Sequence, residues 1–481
     1  MESIWQKTSQ PVSKPTLTGD ISTEIAIIGG GLTGILTAHY LTGAGREVTV
    51  LEARRVGSGQ TGHTTAKITA QHGLCYAQLL KQHGEETARA YAAANLQAVT
   101  LYRQLVDSLS IPCDFEEAPS FLYTCRDAGA LTAEAEAYRV LGLDGGLTTE
   151  TGLPFPVAGA LRLDGQARFH PLKFLYRLAA PLRIYEHTRV LTVQDGTLTT
   201  EHGAVHAEKV VFACHFPFVN HPGYYFMRMH QERSYCIAVQ GAQPLEGTYL
   251  GIDEDGLSFR QAGKFLLVGG GTHRTGDNRQ GGQFANLEAR AQEFWPECKI
   301  AARWSAQDCM PMDGIPYIGA FSSETPNWFV ATGFQKWGMT SAMAAARLLT
   351  AQIQGEPAES GTLFSPQRFR PSASAAQLFR DTAEAARGIS RTAFGLPRAV
   401  ADALPPGHGG IVSVQGEKLG VYKAKNGDTF AIDPRCPHLG CQLEWNPDSL
   451  SWECPCHGSR FDYRGRLLDG PAQSGLACEK G

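Results

Sequence analysis

The 481-residue chain lacks any apolar run near the ~18 residues that a membrane-spanning helix needs. Its opening segment, MESIWQKTSQPVSKP, has no apolar core of a secretion signal. Long Lys/Arg runs are absent and the formal net charge is -4, so there is no electrostatic footprint for nucleic acid or an anionic membrane. Cysteine is sparse and unpatterned over most of the length. Of the 12, Cys75, Cys113, Cys125, Cys214, Cys236, Cys298 and Cys309 share no repeated spacing, as expected of reduced structural thiols. These absences lead to the expectation of a soluble, cytoplasmic protein that binds no polyanion. What remains, 43% hydrophobic and 19% charged residues, is ordinary globular composition, and at roughly 100 to 200 residues per domain the chain holds two or three domains.

From Thr23 the sequence reads TEIAIIGGGLTGILTAHYLTGAGREVTVLEARR. Two short β-rich runs flank an apolar-periodic helix, a βαβ unit. Gly29, Gly31 and Gly34 supply a G-x-G-x-x-G turn: the first permits the bend, the second admits a pyrophosphate and the third lets helix and strand pack closely. The helix amides, starting at Leu32 and Thr33, then face phosphate. Glu52 ends the second strand, where a carboxylate accepts hydrogen bonds from a ribose. NAD and FAD both use this cradle, and the glycines alone do not choose between them.

Further on, VGSGQTGHTTAK after Glu52, HPLKFL at His170, EHTRV followed by KVVFACH, MPMDGIPYIG at Met310 and ATGFQKWGMTSAMAAARLL at Ala331 occur in this order. Together they resemble the FAD-dependent oxidoreductases of the D-amino acid oxidase type, over roughly Glu24 to Gln354. The resemblance implies FAD and a body with a discontinuous Rossmann-like α/β FAD-binding half. An α+β half with a large antiparallel sheet would serve the substrate, from roughly Leu74 to Leu163 and Phe218 to Phe265. It implies FAD contacts at Ala53, Arg54, Thr61, Gly62 and His63, at Val190 for adenine, and at Gly333, Gly338, Met339 and Thr340. The amides opening that last helix would stabilise negative charge on reduced flavin. His63 falls where some relatives attach FAD covalently; contact without a bond is the expectation. No catalytic acid or base is evident, and the family often uses none. Pocket candidates are Lys336 and Trp337, then Arg260 and Tyr235, with Tyr224, Tyr225 and Arg228 weaker.

After Gln354 the composition shifts through GEPAESGTLFSPQRFRPSASA to ALPPGHGG, which marks a partly helical linker over 355–404. Short alternating runs, IVSVQ, KLGVYKA and DTFAID, open a small all-β domain over 405–481. It carries CPHLGCQLEWNPDSLSWECPCHGSRF, with four cysteines and two histidines. Cys436, His438, Cys454 and His457, read as two thiolates and two imidazoles, suit zinc as well as iron.

The flanking residues resemble the two loops of Rieske [2Fe-2S] proteins, in which two Cys hold one iron and two His the other. Cys441 and Cys456 match the extra pair of the cytochrome bc type, which implies a disulfide. Ser459 matches the hydroxyl that hydrogen-bonds a cluster sulfide, and Gly470 to Ala472 completes the pattern. Phe461 departs from it: bc-type proteins have Tyr there, and a lost hydrogen bond to sulfur lowers the potential.

A flavin that collects two electrons and a cluster that passes one imply an amine or amino-acid dehydrogenase with a built-in electron exit. The partners would be a small amine or amino acid, N-methylated ones included, and an external electron acceptor, protein or quinone. Two alternatives stay open: a reductase or monooxygenase-like flavoenzyme fed through the cluster, and an oxygen-using oxidase with the cluster domain as a sensing or docking module.

Overall fold

The computed structural model describes residues 1–357, 361–368, 404–414 and 417–480, the strand Ala399–Val400 and residues 374 and 381 singly. The linker expected over 355–404, with its helical stretch, lies largely outside the described residues. A four-residue helix, Gly361–Phe364, is described within it.

The βαβ unit forms as read. Strand Ile21–Ile28 runs parallel to Val48–Leu51 on one side and Gly203–Phe212 on the other. Trp328–Thr332 adds a further parallel strand beside Gly203–Phe212. Side chains alternate across the sheet: Ile25 and Ile27 join the core beneath helices Leu32–Gly43 and Gly338–Gln354, whereas Ala26 and Ile28 join a second core with Val210 and Phe212. Both faces of the strand are therefore covered, which is why its sequence reads as a continuous apolar run.

The second sheet has eight strands among the described residues, all antiparallel neighbours except one pair. Its longest strand, Met229–Gln240, lies between Phe265–Arg274 and Lys299–Pro311. The sheet thus reaches Pro311, beyond the limit at Phe265 expected from the sequence. Tyr235, Ile237 and Val239 bury one face against helix Gln283–Phe294, and the opposite face carries Ser234 and Cys236 towards a cavity. The long amphipathic helix forms over Glu85–Ser108 and buries Tyr91, Ala98 and Tyr102.

The C-terminal unit is all β. Strands Gly409–Val414, Glu417–Lys423 and Thr429–Ile432 form a meander with Cys478–Lys480 at one edge, and Ala399–Val400 pairs with Val412 and Ser413 at the other. A four-stranded sheet, Glu444–Asn446 to Leu467–Asp469, carries the cysteine loops. Among the described residues no helix is long and apolar enough to cross a membrane.

Candidate functional site: a flavin cavity walled by the cluster domain

Strand Ile21–Ile28 delivers the chain to Gly29, whose φ of +112° suits glycine and where a Cβ would lie 2.5 Å from the Ala213 carbonyl oxygen. A Cβ at Gly34 would meet the Gly29 carbonyl at 2.0 Å, so helix and strand approach as the third glycine of the motif requires. Gly31 caps the helix without a side-chain hydrogen bond, and the Leu32 amide donates to Thr61 Oγ1 at 2.9 Å. Glu52 accepts from the Gly30 and Arg54 amides at 2.7 Å each, which fixes its carboxylate at the strand end.

These groups open onto a cavity of about 380 Å³ that runs on to the start of helix Gly338–Gln354. Every expected FAD contact lines it except Gly34, Gly62 and Thr340, which lie behind the wall. Gly62 is pressed against the Gly57 carbonyl, and the Thr340 hydroxyl pairs with His72 Nε2 at 3.0 Å. The His63 ring borders the cavity with Nδ1 2.8 Å from the Gly59 carbonyl. A glycine-walled cradle, an uncapped helix start and a carboxylate at the second strand end fit FAD, whose dinucleotide portion needs these three features.

The pocket candidates separate. Lys336 and Trp337 line the cavity. Lys336 Nζ sits 3.1 Å from Glu232 and 3.5 Å from Asp308. Burial opposes its charge, but these carboxylates hold its pKa above the usual lysine value, so it is a cation and not a base. Trp337 stacks on His72, ring centroids 4.7 Å apart. Tyr235 also borders the cavity, yet its hydroxyl accepts from Asn278 and from Asn446 of the C-terminal unit.

Arg260 does not reach the cavity. Its guanidinium donates to the Thr65 and Phe169 carbonyls at 2.7 Å and lies over Trp5, in a separate smaller pocket. Tyr224 is exposed, Tyr225 donates to the Phe321 carbonyl and Arg228 packs over Tyr317, and none of the three lines the cavity.

Lys67, not among the candidates read from the sequence, also lines the cavity. Its Nζ donates to the Tyr249 carbonyl and Ser258 Oγ at 2.6 Å each and pairs with no carboxylate among the described residues. Burial, with Arg260 nearby, lowers its pKa to about 7. A lone lysine in the neutral run TGHTTAKITA was the available signal.

The two cysteine loops share one shape. The Gly440 amide donates to the Cys436 carbonyl at 2.8 Å and the Gly458 amide to the Cys454 carbonyl at 2.9 Å, with both glycines at positive φ. The Cys436 and Cys454 thiols are in hydrogen-bonding contact, and the His438 and His457 rings stand 5.0 Å apart and perpendicular. Both Nδ1 atoms are buried with no hydrogen-bond partner. Burial holds the imidazoles neutral, His438 near about 4 and His457 near about 3, leaving lone pairs free for a metal.

A thiol pair and an imidazole pair fit a two-iron centre with one pair on each iron. They do not fit one tetrahedral zinc. Among the described residues the only trio of potential ligand atoms within 4.8 Å of one another is Cys441, Cys454 and Cys456, of which Cys441 and Cys456 are bonded to each other. That disulfide is the pair the bc-type resemblance implied. Ser459 Oγ accepts from the Ala472 amide at 3.0 Å and contacts Cys436. Phe461 is fully buried in the same core.

The C-terminal unit docks directly on the flavin body. Gln231 Nε2 donates to the His457 carbonyl at 2.6 Å, and Gln307 Nε2 donates to the Gly458 carbonyl and to Gln231 Oε1 at 2.7 Å. Arg274 donates to the Pro455 carbonyl at 3.1 Å. His438 Nε2 meets Asn220 Oδ1 at 2.8 Å, and Phe226 presents its edge to both histidines. The histidine edge is thus covered by the segment that follows Phe216 and Phe218, two residues of the cavity wall. Residues Leu468 to Gln473 line the same cavity as Gly29.

The FAD dependent oxidoreductase family model matches residues 24–352 and the Rieske [2Fe-2S] domain model residues 396–480. The Rieske 2Fe-2S iron-sulfur protein YhfW of Bacillus subtilis (strain 168) is 34% identical over 98% of this chain and 96% of its own length. Among solved structures, glycine oxidase from Geobacillus kaustophilus superposes with a TM-score of 0.62 at 22% identity, covering 72% of this chain and 99% of that one. L-proline dehydrogenase from P. horikoshii gives a TM-score of 0.60 at 18% identity, covering 74% and 98%. The chain belongs to the FAD-dependent oxidoreductase family and carries a C-terminal Rieske [2Fe-2S] domain.

Proposed function

We propose that this protein is a dehydrogenase of a small amino acid or amine, N-methylated ones included, in which FAD takes hydride from the carbon beside nitrogen and the cluster passes the electrons singly to an external acceptor. The resulting imine is hydrolysed by water. The observation that carries this reading is the shared cavity: the phosphate cradle at Gly29 and the cluster-domain segment from Leu468 to Gln473 line one space. Cys436 and Cys454 with His438 and His457 would hold the cluster, and Gly29, Gly31, Glu52 and the Gly333 to Met339 segment would hold FAD.

Lys67 supports an amino acid over a simple amine. A buried ammonium without an acidic partner is costly, and a substrate carboxylate would satisfy it. The similar proteins named as glycine oxidase and L-proline dehydrogenase fit the same substrate class. Lys336, kept cationic by Glu232 and Asp308, orients and does not take the proton. With Lys336 excluded as the base, the substrate amine arrives neutral or gives its proton to another cavity group such as Lys67, whose pKa is lowered to about 7.

Anaerobic mixing with a panel of amino acids and N-methyl amino acids is the test. A substrate bleaches the flavin absorbance and brings up the Rieske EPR signal in the same sample. In His457→Ala, which removes a cluster ligand, bleaching persists while turnover with one-electron acceptors is lost. Acceptor turnover that survives in this variant would exclude the cluster as the exit.

A further inference from the structure

Residues Leu468 to Gln473 close one side of the cavity that begins at Gly29. They comprise the end of the last strand of the four-stranded sheet, Leu467–Asp469, and the residues after it, and are fastened to the cysteine loops by the Ala472 amide on Ser459 Oγ. The same stretch that supports the cluster therefore forms part of the flavin enclosure.

Asp469 is the joint. One carboxylate oxygen accepts from Gln60 at 3.4 Å and lies 3.8 Å from Arg54, both on the loop after Glu52; the other accepts from Arg460 at 2.7 Å. Arg460 continues to Glu453 at 3.2 Å, and Glu453 to the fully buried Arg233 at 3.6 Å. The row begins and ends in the flavin body, at Arg54 and Arg233, and its three middle members belong to the cluster domain. Although burial opposes it, Arg460, Arg54 and Arg233 hold Asp469 far below the usual carboxylate range. Arg54 is partly exposed, but Asp469, Arg460, Glu453 and Arg233 are largely buried, and alternating buried charges of this kind are satisfied in one docked register only.

We propose that the Rieske domain is a component of the FAD-binding site, so that FAD binding and docking of the domain form one coupled equilibrium with Asp469 at the joint. A ligand that fills the cavity touches walls from both domains, so it binds the docked arrangement more tightly than the undocked one. By reciprocity, docking then retains FAD and FAD holds the domain down. The proposal holds for either direction of electron flow.

Docking also has contacts outside the cavity lining that report on it; Asn278 and Asn446 lie directly behind Tyr235 of the wall, whereas Arg279, Glu444 and Asp448 do not bond it. Asn278 donates to Asn446 at 3.1 Å and to Asp448 at 2.8 Å, Arg279 pairs with Glu444 at 3.0 Å and the Gln283 amide donates to Asp448 at 3.0 Å. None of Asn278, Arg279, Glu444, Asn446 and Asp448 lines the cavity.

Hydrogen–deuterium exchange on the full chain, purified with FAD and from riboflavin-limited cells without it, tests the coupling. Without FAD, the amides of residues 444–449 exchange faster by about fivefold or more, the low end of typical couplings. The Rieske EPR signal stays, which shows that the cluster domain itself is intact. Equal exchange with and without FAD overturns the proposal. The reciprocal arm uses Arg279→Ala/Asp448→Ala, which removes docking contacts at residues that bond no residue of the cavity wall. Flavin release on mild heating, read by fluorescence, comes about tenfold faster in that variant. Release at the wild-type rate also overturns the proposal.

Discussion

Lys67 is the side chain on which the proposed amino-acid substrate class rests most directly. With its pKa lowered to about 7, it is cationic below that pH and loses its charge above it. A carboxylate ligand binds the charged form, so its Kd is lowest below about pH 7 and rises by up to about tenfold per pH unit above. Acetate, titrated by perturbation of the flavin spectrum, isolates this effect from the substrate amine. Lys67→Met should weaken acetate binding and flatten the pH profile. A second residue-scale test lies at Phe461, fully buried among the cluster cysteines. Phe461→Tyr restores a hydroxyl near a ligating sulfur, and the cluster potential in redox-monitored EPR should rise. The disulfide was legible in the sequence through the resemblance of two short cysteine loops, and the same two loops carry the four proposed cluster ligands. Lys67 was not legible, because its importance comes from Tyr249 and Ser258, which reach it from another sheet.

The elements show the same division. The two cysteine turns depend on glycine at positive φ, which CPHLGC and CPCHGS announce openly. At Gly458, φ is +82° and a Cβ would fall 2.7 Å from the Gln231 side chain. Gly458→Ala should therefore cost about 1–2 kcal/mol from the left-handed conformation alone, with a further loss from displacing Gln231. A lower unfolding midpoint for the cluster domain, followed by loss of the EPR signal on heating, checks this. The short strands of the C-terminal domain were legible from their alternation. The strand Lys299–Pro311 was missed because its pattern, KIAARWSAQDCMP, mixes charged, polar and small residues, and the alternation of its buried positions breaks between Trp304 and Gln307. Arg260 misled for a related reason: a guanidinium in a substrate-sheet strand resembles a ligand contact, yet it is consumed by two backbone carbonyls.

At the scale of the whole molecule, both domains were recognisable separately but their arrangement was not. Gln231 and His457 meet across 226 residues and Gln307 and Gly458 across 151, and a polar pair of this kind leaves no periodicity in either segment. The histidine edge is bonded to Asn220 and covered by Phe226, contacts that neither segment announces. Domain docking that is already complete makes a kinetic statement. If nothing has to travel between the flavin and the cluster, electron movement between them is strictly first order, indifferent to protein concentration and to the viscosity of the solvent. Stopped-flow reduction by substrate, repeated in glycerol solutions, should return the same rate constant for appearance of the reduced cluster. The only step left to diffusion is then the arrival of the external acceptor, and added glycerol should slow steady-state turnover when that encounter is limiting while leaving the internal step unchanged.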